Sequence, residues 1–352
     1  MKKIFLFSLM AGLLALGLSS VSAKPSGPQN LPSLQDLEAG MWNQISPGGE
    51  TTCSRGTEYS FFVRPGDDSK LMIHFQGGGA CWNKINCSDT NFRTFDDSVT
   101  SDDMTTANQG IFDFENPDNP VGDYTAVMVP YCTADVHVGN TVVDHDGVQI
   151  NHKGRVNTEA VLAWVYENYP DPQNVFVNGC SAGSYGSIFY APSIADQYPE
   201  ATFAHLGDAG LGVSTPEFDA DGLADWGFFD SLALYFPDIS QEGYTFSRIY
   251  ESAAAQHPES FFTQYTALED NVQKAFYELQ GGDPAEWPAL AQARLDELDP
   301  LENFAYFTAT GELHCILPLA EFYSYETNGA RFVEWVAALA AGEAVETVSA
   351  QP

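Results

Sequence analysis

The chain has 352 residues, with 48 Asp and Glu against 14 Lys and Arg, for a formal net charge of −34. A surface this acidic repels nucleic acid and anionic lipid, which excludes both as partners. It suits solubility in a saline medium, where salt near 1 M shrinks the Debye length to about 3 Å.

The chain opens on Met1-Lys2-Lys3, runs through an apolar stretch over 4–18 and reaches Val21-Ser22-Ala23 before Lys24. A basic start, a short apolar run and small residues at a cleavage site predict a secretory signal peptide over residues 1–23. An uncleaved N-terminal anchor is the alternative. No later segment approaches the roughly 18 consecutive apolar residues of a spanning helix, so a soluble, secreted or periplasmic protein with no membrane span is expected. Residues 24–352 contain no linker or internal repeat and read as one domain. Losing Lys2 and Lys3 makes the mature chain more acidic still.

Six cysteines, Cys53, Cys81, Cys87, Cys132, Cys180 and Cys315, all fall in the exported part. In an oxidising compartment an even count suggests up to three disulfides. No C-x-x-C or His/Cys spacing suggests zinc.

Short β-branched or aromatic runs bounded by turn residues predict strands over 60–63, 71–75, 126–130, 174–177, 202–206, 261–265 and 304–308. Helical periodicity falls between them over 158–169, 184–197, 287–298 and 330–341. This alternation predicts an α/β class: a mainly parallel central sheet with helices on both faces, and long loops over the carboxyl ends of the strands, where ligands bind. Residues 88–123 and 213–225 read as such loops or lids. Within the second, Asp219-Ala220-Asp221-Gly222 has the start of a calcium loop but neither the remaining ligand spacing nor the closing Glu. No metal or cofactor is expected.

The stretch "VFVNGCSAGSYGSIFYAP" carries Gly179-x-Ser181-x-Gly183 between a predicted buried strand and a predicted helix. That is the strand, turn, helix setting of a nucleophile elbow, in which crowding favours glycine two residues to either side of the serine. The helix start places its positive end beside Ser181, and the Ala182 N–H can face a developing oxyanion. A second donor requires another loop. The strand over 71–75 ends in Gly77-Gly78-Gly79-Ala80, where glycines let backbone N–H groups approach a substrate; close packing of a flexible loop is the other reading.

A general base C-terminal to Ser181 could be His205, His257 or His314. His205 sits inside a strand pattern and His257 precedes Pro258 in a polar loop. His314 follows the end of a late strand and is preferred. For the acid, Asp208 and Asp270 both follow strand-like runs. Asp208 ends the strand directly after the elbow helix, which is early for the acid, and could instead order the loop beneath the site; Asp270 comes one strand before the histidine and is preferred.

These residues resemble a known family, the pectin acetylesterases with the animal lipid deacylase Notum as a relative. The similar blocks are "FQGGGACWN", "PYCTADVHVGN", "HKGRVNTEAVLAWV", "NGCSAGSYG", "GDAG", "ALEDNVQ" and "ELHCILP", in the family's order from about Phe75 to Pro318. The resemblance implies an α/β-hydrolase-like fold and a serine carboxylesterase with Ser181 as nucleophile, Asp270 as acid and His314 as base. It places the oxyanion donors near Gly79, Ala80 and Ala182. The loop after "GDAG" reads Leu211-Gly212-Val213 rather than an aromatic run, so the acyl pocket is not carried over.

The function implied is removal of O-acetyl groups from a polysaccharide. Polygalacturonate is a polyanion that an acidic protein repels, so an acetylated neutral carbohydrate or a small ester fits the charge better. A deacylase for longer acyl chains or polyesters is the alternative, and an inactive secreted binding protein of the same fold is the third. Because Cys180 precedes the expected nucleophile and Cys315 follows the expected base, adjacency suggests a disulfide between them, leaving Cys81 to Cys87 and Cys53 to Cys132 as the other pairs.

Overall fold

The computed structural model describes residues 31–88, 94–105 and 108–350. The expected signal peptide lies outside these residues.

Strands β1 (Asn43–Ile45), β2 (Phe61–Arg64), β3 (Asp67–Phe75) and β4 (Tyr124–Val129) form one side of an eight-stranded sheet. A separate antiparallel hairpin of β5 (Thr141–Asp144) and β6 (Gln149–His152) follows. The sheet then continues with β7 (Asn174–Cys180), β8 (Thr202–Asp208), β9 (Phe261–Ala267) and β10 (Phe304–Ala309). Its order is β1-β2-β4-β3-β7-β8-β9-β10, with β2 antiparallel to both neighbours and the six strands from β4 to β10 parallel.

The principal helices are α1 (Gly154–Asn168), α2 (Ala182–Gln197), α3 (Phe228–Tyr235), α4 (Ser247–Gln256), α5 (Asn271–Leu279), α6 (Trp287–Leu298) and α7 (Phe332–Ala340). The parallel strands are buried on both faces because helices cover both. Val175 and Val177 of β7 join the core beneath α1, α2, α4 and α6, while Phe176 joins the opposite core with Phe332, Trp335 and Val336 of α7. The same alternation runs along β3, where Leu71, Ile73 and Phe75 face one layer and Met72 the other. Burying an aliphatic or aromatic side chain of this size contributes roughly 1.5–3 kcal/mol, so a strand wedged between two such layers has its register fixed.

The strand order reverses at β3. From β3 the chain steps outward to β4, then crosses back to β7 on the other side. A crevice at the carboxyl ends of β3 and β7 is the consequence. In register, Phe75 of β3 lies beside Gly179 of β7, and Gly179 beside Gly207 of β8. The loops that leave these strand ends carry "GGGA", "CSAG" and "DAG".

Two predicted loops hold more structure than their composition indicates. The described part of 88–123 includes short turns at Asp102–Thr105 and Gly110–Phe112. In 213–225 a π-helical turn, Phe218–Gly222, runs into a short helix, Leu223–Asp225. The acidic Asp219-Ala220-Asp221-Gly222 stretch is therefore helical rather than a looped cation cradle. Among the described residues no helix is long and apolar enough to cross a membrane.

Candidate active site

Ser181 emerges from the end of β7 and precedes α2. Its backbone adopts φ 56°, ψ −121°, a region a non-glycine residue occupies only when its surroundings hold it there. The turn is this tight because α2 presses onto β3: a Cβ on Gly183 would overlap the Phe75 carbonyl oxygen. The Ser181 N–H donates to the Asp208 carbonyl at 2.7 Å, and its hydroxyl makes no capping bond to α2. The side chain thus stands free at the positive end of a 16-residue helix.

Asp270 follows β9 and caps the N-terminus of α5. Its Oδ1 accepts the Val272 and Gln273 N–H groups, each at 2.9 Å. His314 Nδ1 contacts the same carboxylate at 2.8 Å to Oδ2 and 3.1 Å to Oδ1. The Gln273 amide donates to Oδ2 at 3.0 Å and to Thr266 Oγ1 at 3.1 Å, and its carbonyl accepts the Leu211 N–H at 3.3 Å. Asp270 is fully buried and meets a donor in every partner, which assigns the proton of this contact to His314 Nδ1. Nε2 is then the nitrogen left for other work. His314 and Ser181 line one cavity, with no hydrogen bond between their side chains; such contacts often close only when a substrate arrives.

Asp208 occupies a different place, under the site. Its Oδ2 accepts the Ile316 and Leu317 N–H groups, both at 2.8 Å, so it anchors the segment just after His314. Burial pushes its carboxyl up to about 7, against the opposing pull of those two bonds. His205 is buried in β8 against Ser187 Oγ at 2.9 Å, and burial lowers it to about 3. His257 lies beside Asp196 and Glu259, at 3.6 and 3.9 Å. Neither of these two histidines lines the cavity of Ser181.

The glycine loop after β3 forms one wall. Gly79, at φ 78°, carries the chain past the Thr94 carbonyl, where a Cβ would overlap. Thr94 Oγ1 donates to the Ala80 carbonyl at 2.5 Å and the Cys81 N–H to the Ala134 carbonyl at 3.0 Å, fixing the loop. Gly79, Ala80 and Ala182 line the cavity with Ser181.

All six cysteines are paired, as Cys53–Cys132, Cys81–Cys87 and Cys180–Cys315. Among the described residues, Cys180, Asp208 and Cys315 form the one group close enough to share a metal ion. Both sulfurs are consumed by the disulfide and offer no thiolate.

The remaining cavity wall is largely aromatic, built of Trp82, Tyr185, Phe218, Trp226, Phe228, Tyr244, Phe246 and Phe276 with a few aliphatic and polar side chains between them. The aromatic residues come from the segments after β3 and β8 and from α2, α3 and α5; Trp82 and Tyr185 fall in the family blocks, and no motif announces the others. Gln273 did have a signal: Asp270-Asn271-Val272-Gln273 has the spacing of a helix capping box.

The fold is an α/β-hydrolase-like architecture with Ser181 at the turn between β7 and α2. The chain belongs to the pectinacetylesterase family, whose model matches residues 45–269; Ser181 lies inside that match, and Asp270 and His314 lie beyond it. It is 28% identical over 165 residues to palmitoleoyl-protein carboxylesterase notum2 of Xenopus laevis, covering 46% of this chain and 33% of that protein. It is 24% identical over 201 residues to notum1a of Danio rerio, covering 56% and 38%. The match to these two relatives thus spans little more than a third of their length. The solved structure of the Wnt deacylase Notum from Drosophila superposes with a TM-score of 0.63 at 15% identity, covering 90% of this chain and 97% of that one, a likeness of fold.

Proposed function

We propose that the protein is an exported serine carboxylesterase in which Ser181 is the nucleophile, His314 the general base and Asp270 the acid. The observation that carries this reading is the convergence of a strained, unbonded Ser181 and a carboxylate-held His314 on one cavity. Ser181 Oγ attacks the ester carbonyl as His314 Nε2 takes its proton. The C–O bond then breaks, and the alcohol leaves with that proton. Water, deprotonated by His314, cleaves the acyl-enzyme in the same way. Asp270 keeps the imidazole in the tautomer that leaves Nε2 basic. Backbone N–H groups at Gly79, Ala80 and Ala182 receive the oxyanion, each such donor contributing about 3 kcal/mol to the barrier reduction.

The aromatic wall favours an acyl group larger than acetyl. A longer or bulkier acyl group in contact with these rings buries apolar surface that an acetyl group does not, at about 25 cal/mol per Å². The relatives named for palmitoleoyl-protein hydrolysis accord with that direction. Removal of O-acetyl groups from a neutral polysaccharide is the second reading, favoured by the family model. Rates on p-nitrophenyl acetate, butanoate and octanoate separate the two: kcat/KM should rise beyond acetate, and a maximum at acetate would return the assignment to the acetylesterase. Three disulfides and the expected signal peptide support export to an oxidising compartment.

A further inference from the structure

We infer that His137 is a positioning residue for ester hydrolysis: its Nε2–H holds the Gln76 carbonyl and so sets the glycine loop, 77–80, in the form that presents its N–H groups to the oxyanion. This rests on the esterase reading above and adds a residue to its machinery.

Positive φ is uncommon outside glycine, and at a β-branched residue it marks strain that the surroundings must hold. Among the described residues, Ser181, Ala209 and Cys315 adopt it at the elbow, in the loop after β8 and beside His314. Ala134 (φ 60°), Val136 (φ 49°) and His137 (φ 70°) adopt it too, in a segment between β4 and β5 that supplies no member of the proposed triad. Strain of this kind collects at functional sites. Val136 and Val138 line the cavity of Ser181 and His137 does not, so His137 acts through another group.

That group is the glycine loop, which this segment grips at both ends. At its start, His137 Nε2 lies 2.8 Å from the Gln76 carbonyl oxygen. At its finish, the Cys81 N–H donates to the Ala134 carbonyl at 3.0 Å. Gln76 is held twice more, its N–H donating to the Val129 carbonyl and its Oε1 accepting the Tyr131 N–H, both at 3.0 Å. The next residue lies directly on the elbow: a Cβ on Gly77 would crowd the Cys180 carbonyl oxygen and Ser181 Cβ. The planar Gln76–Gly77 peptide is therefore the last fixed point before the proposed donors at Gly79 and Ala80, and its orientation sets the direction in which they start.

His137 is itself firmly held. Its carbonyl accepts the Tyr190 hydroxyl at 2.9 Å, and its ring stands edge-on to Phe75 with centroids 5.3 Å apart. Gly186 of α2 leaves room for it, since a Cβ there would strike the imidazole. The Asp135 carboxylate locks the segment by accepting Thr133 Oγ1 at 2.6 Å and the Gly154 N–H at 2.7 Å. A carbonyl oxygen only accepts, so the ring proton of the Gln76 contact sits on Nε2. Burial lowers the imidazole to about 4, which keeps the ring neutral at ordinary pH.

The test compares His137→Phe, which keeps a ring and removes the donor, with His137→Gln, which restores a donor. In folded His137→Phe, kcat on p-nitrophenyl butanoate should fall about 10- to 100-fold with KM within about twofold of wild type, and His137→Gln should recover part of the loss. Propyl trifluoromethyl ketone, whose carbonyl carbon takes Ser181 Oγ to give a hemiketal oxyanion while the serine proton passes to His314, should bind His137→Phe more weakly by a similar factor. Methyl propyl ketone occupies the same place without forming a stable oxyanion, and its affinity should not change. Wild-type kcat in folded His137→Phe, or an equal loss of affinity for both ketones, would overturn the inference. If neither variant folds, nitrogen NMR of histidine-labelled wild type still decides: His137 should be the neutral Nε2–H tautomer from about pH 6 to 9, and a proton on Nδ1 instead would leave Nε2 unable to donate and overturn the inference. Failure of the esterase reading would show separately, as no turnover of p-nitrophenyl butanoate by wild type.

Discussion

Cys180 and Cys315 are joined with their Cα atoms 5.7 Å apart across 135 residues of sequence. The bond links the residue before Ser181 to the residue after His314, so elbow and histidine segment move as one unit. Asp208 reinforces the link from below. Its carbonyl accepts the Ser181 N–H, and its carboxylate accepts the Ile316 and Leu317 N–H groups.

Removing that disulfide in a Cys180→Ala/Cys315→Ala pair should therefore lower both stability and turnover. Loss of a native disulfide typically costs about 2–5 kcal/mol. Chemical unfolding should show a loss of this order, and kcat should fall more than KM rises, because the displaced group is a catalytic one. Full kcat in the folded double variant would mean that Asp208 and packing suffice to place His314.

Asp270 does two things at once, capping α5 and holding His314. Asparagine caps a helix as well as aspartate but cannot hold the imidazole in the same tautomer. Asp270→Asn should thus lose about 10³- to 10⁴-fold in kcat with little change in thermal stability. Asp270→Ala should lose the rate and also about 1 kcal/mol of stability. Steady-state kinetics beside thermal melts separates the two roles.

Asp208 gives the fold a pH dependence of definite sign. Burial raises its carboxyl from the ordinary 3.8 to about 7, so between those values the native state holds a proton that the unfolded chain has released. This group's contribution to stability is complete below about pH 4 and is lost as pH rises through about 7. Asp208→Asn keeps an acceptor for the two backbone N–H groups but does not titrate. Urea unfolding from pH 4 to 8 should show wild-type stability falling relative to the variant as pH rises, and parallel curves would contradict the assignment.

How much of this was legible in the sequence depended on whether a feature was local. The parallel strands are read correctly near their centres because both faces are buried, which gives continuous apolar runs such as Leu71-Met72-Ile73 and Val175-Phe176-Val177. Strand β1, Asn43-Gln44-Ile45, was missed because a three-residue edge strand with one buried side chain has no periodicity to detect. Helix α2 begins at Ala182, two residues earlier than the apolar pattern indicates, because the elbow itself is its cap. Helix α5 was overlooked although the Asp270 cap and Gln273 mark its start. Ser181 and the glycine loop stand in recognisable local settings, and choosing among three histidines and two aspartates drew on chain order and the family blocks. Trp82 and Tyr185 fall in the family blocks, but nothing local in the sequence marks the other aromatic residues as lining the pocket. The pocket is assembled from segments after β3 and β8 and from α2, α3 and α5, and what brings these together is the sheet order.

The central claim is that Ser181 attacks the ester carbonyl. Incubation with a fluorophosphonate, followed by peptide mass spectrometry and assay on p-nitrophenyl butanoate, tests it directly. One covalent adduct should form, on the peptide containing Ser181, in step with loss of activity; Ser181→Ala should take up no label and lose at least about 10³-fold in kcat. Undiminished turnover by Ser181→Ala, or an adduct on another serine that tracks inactivation, would contradict it.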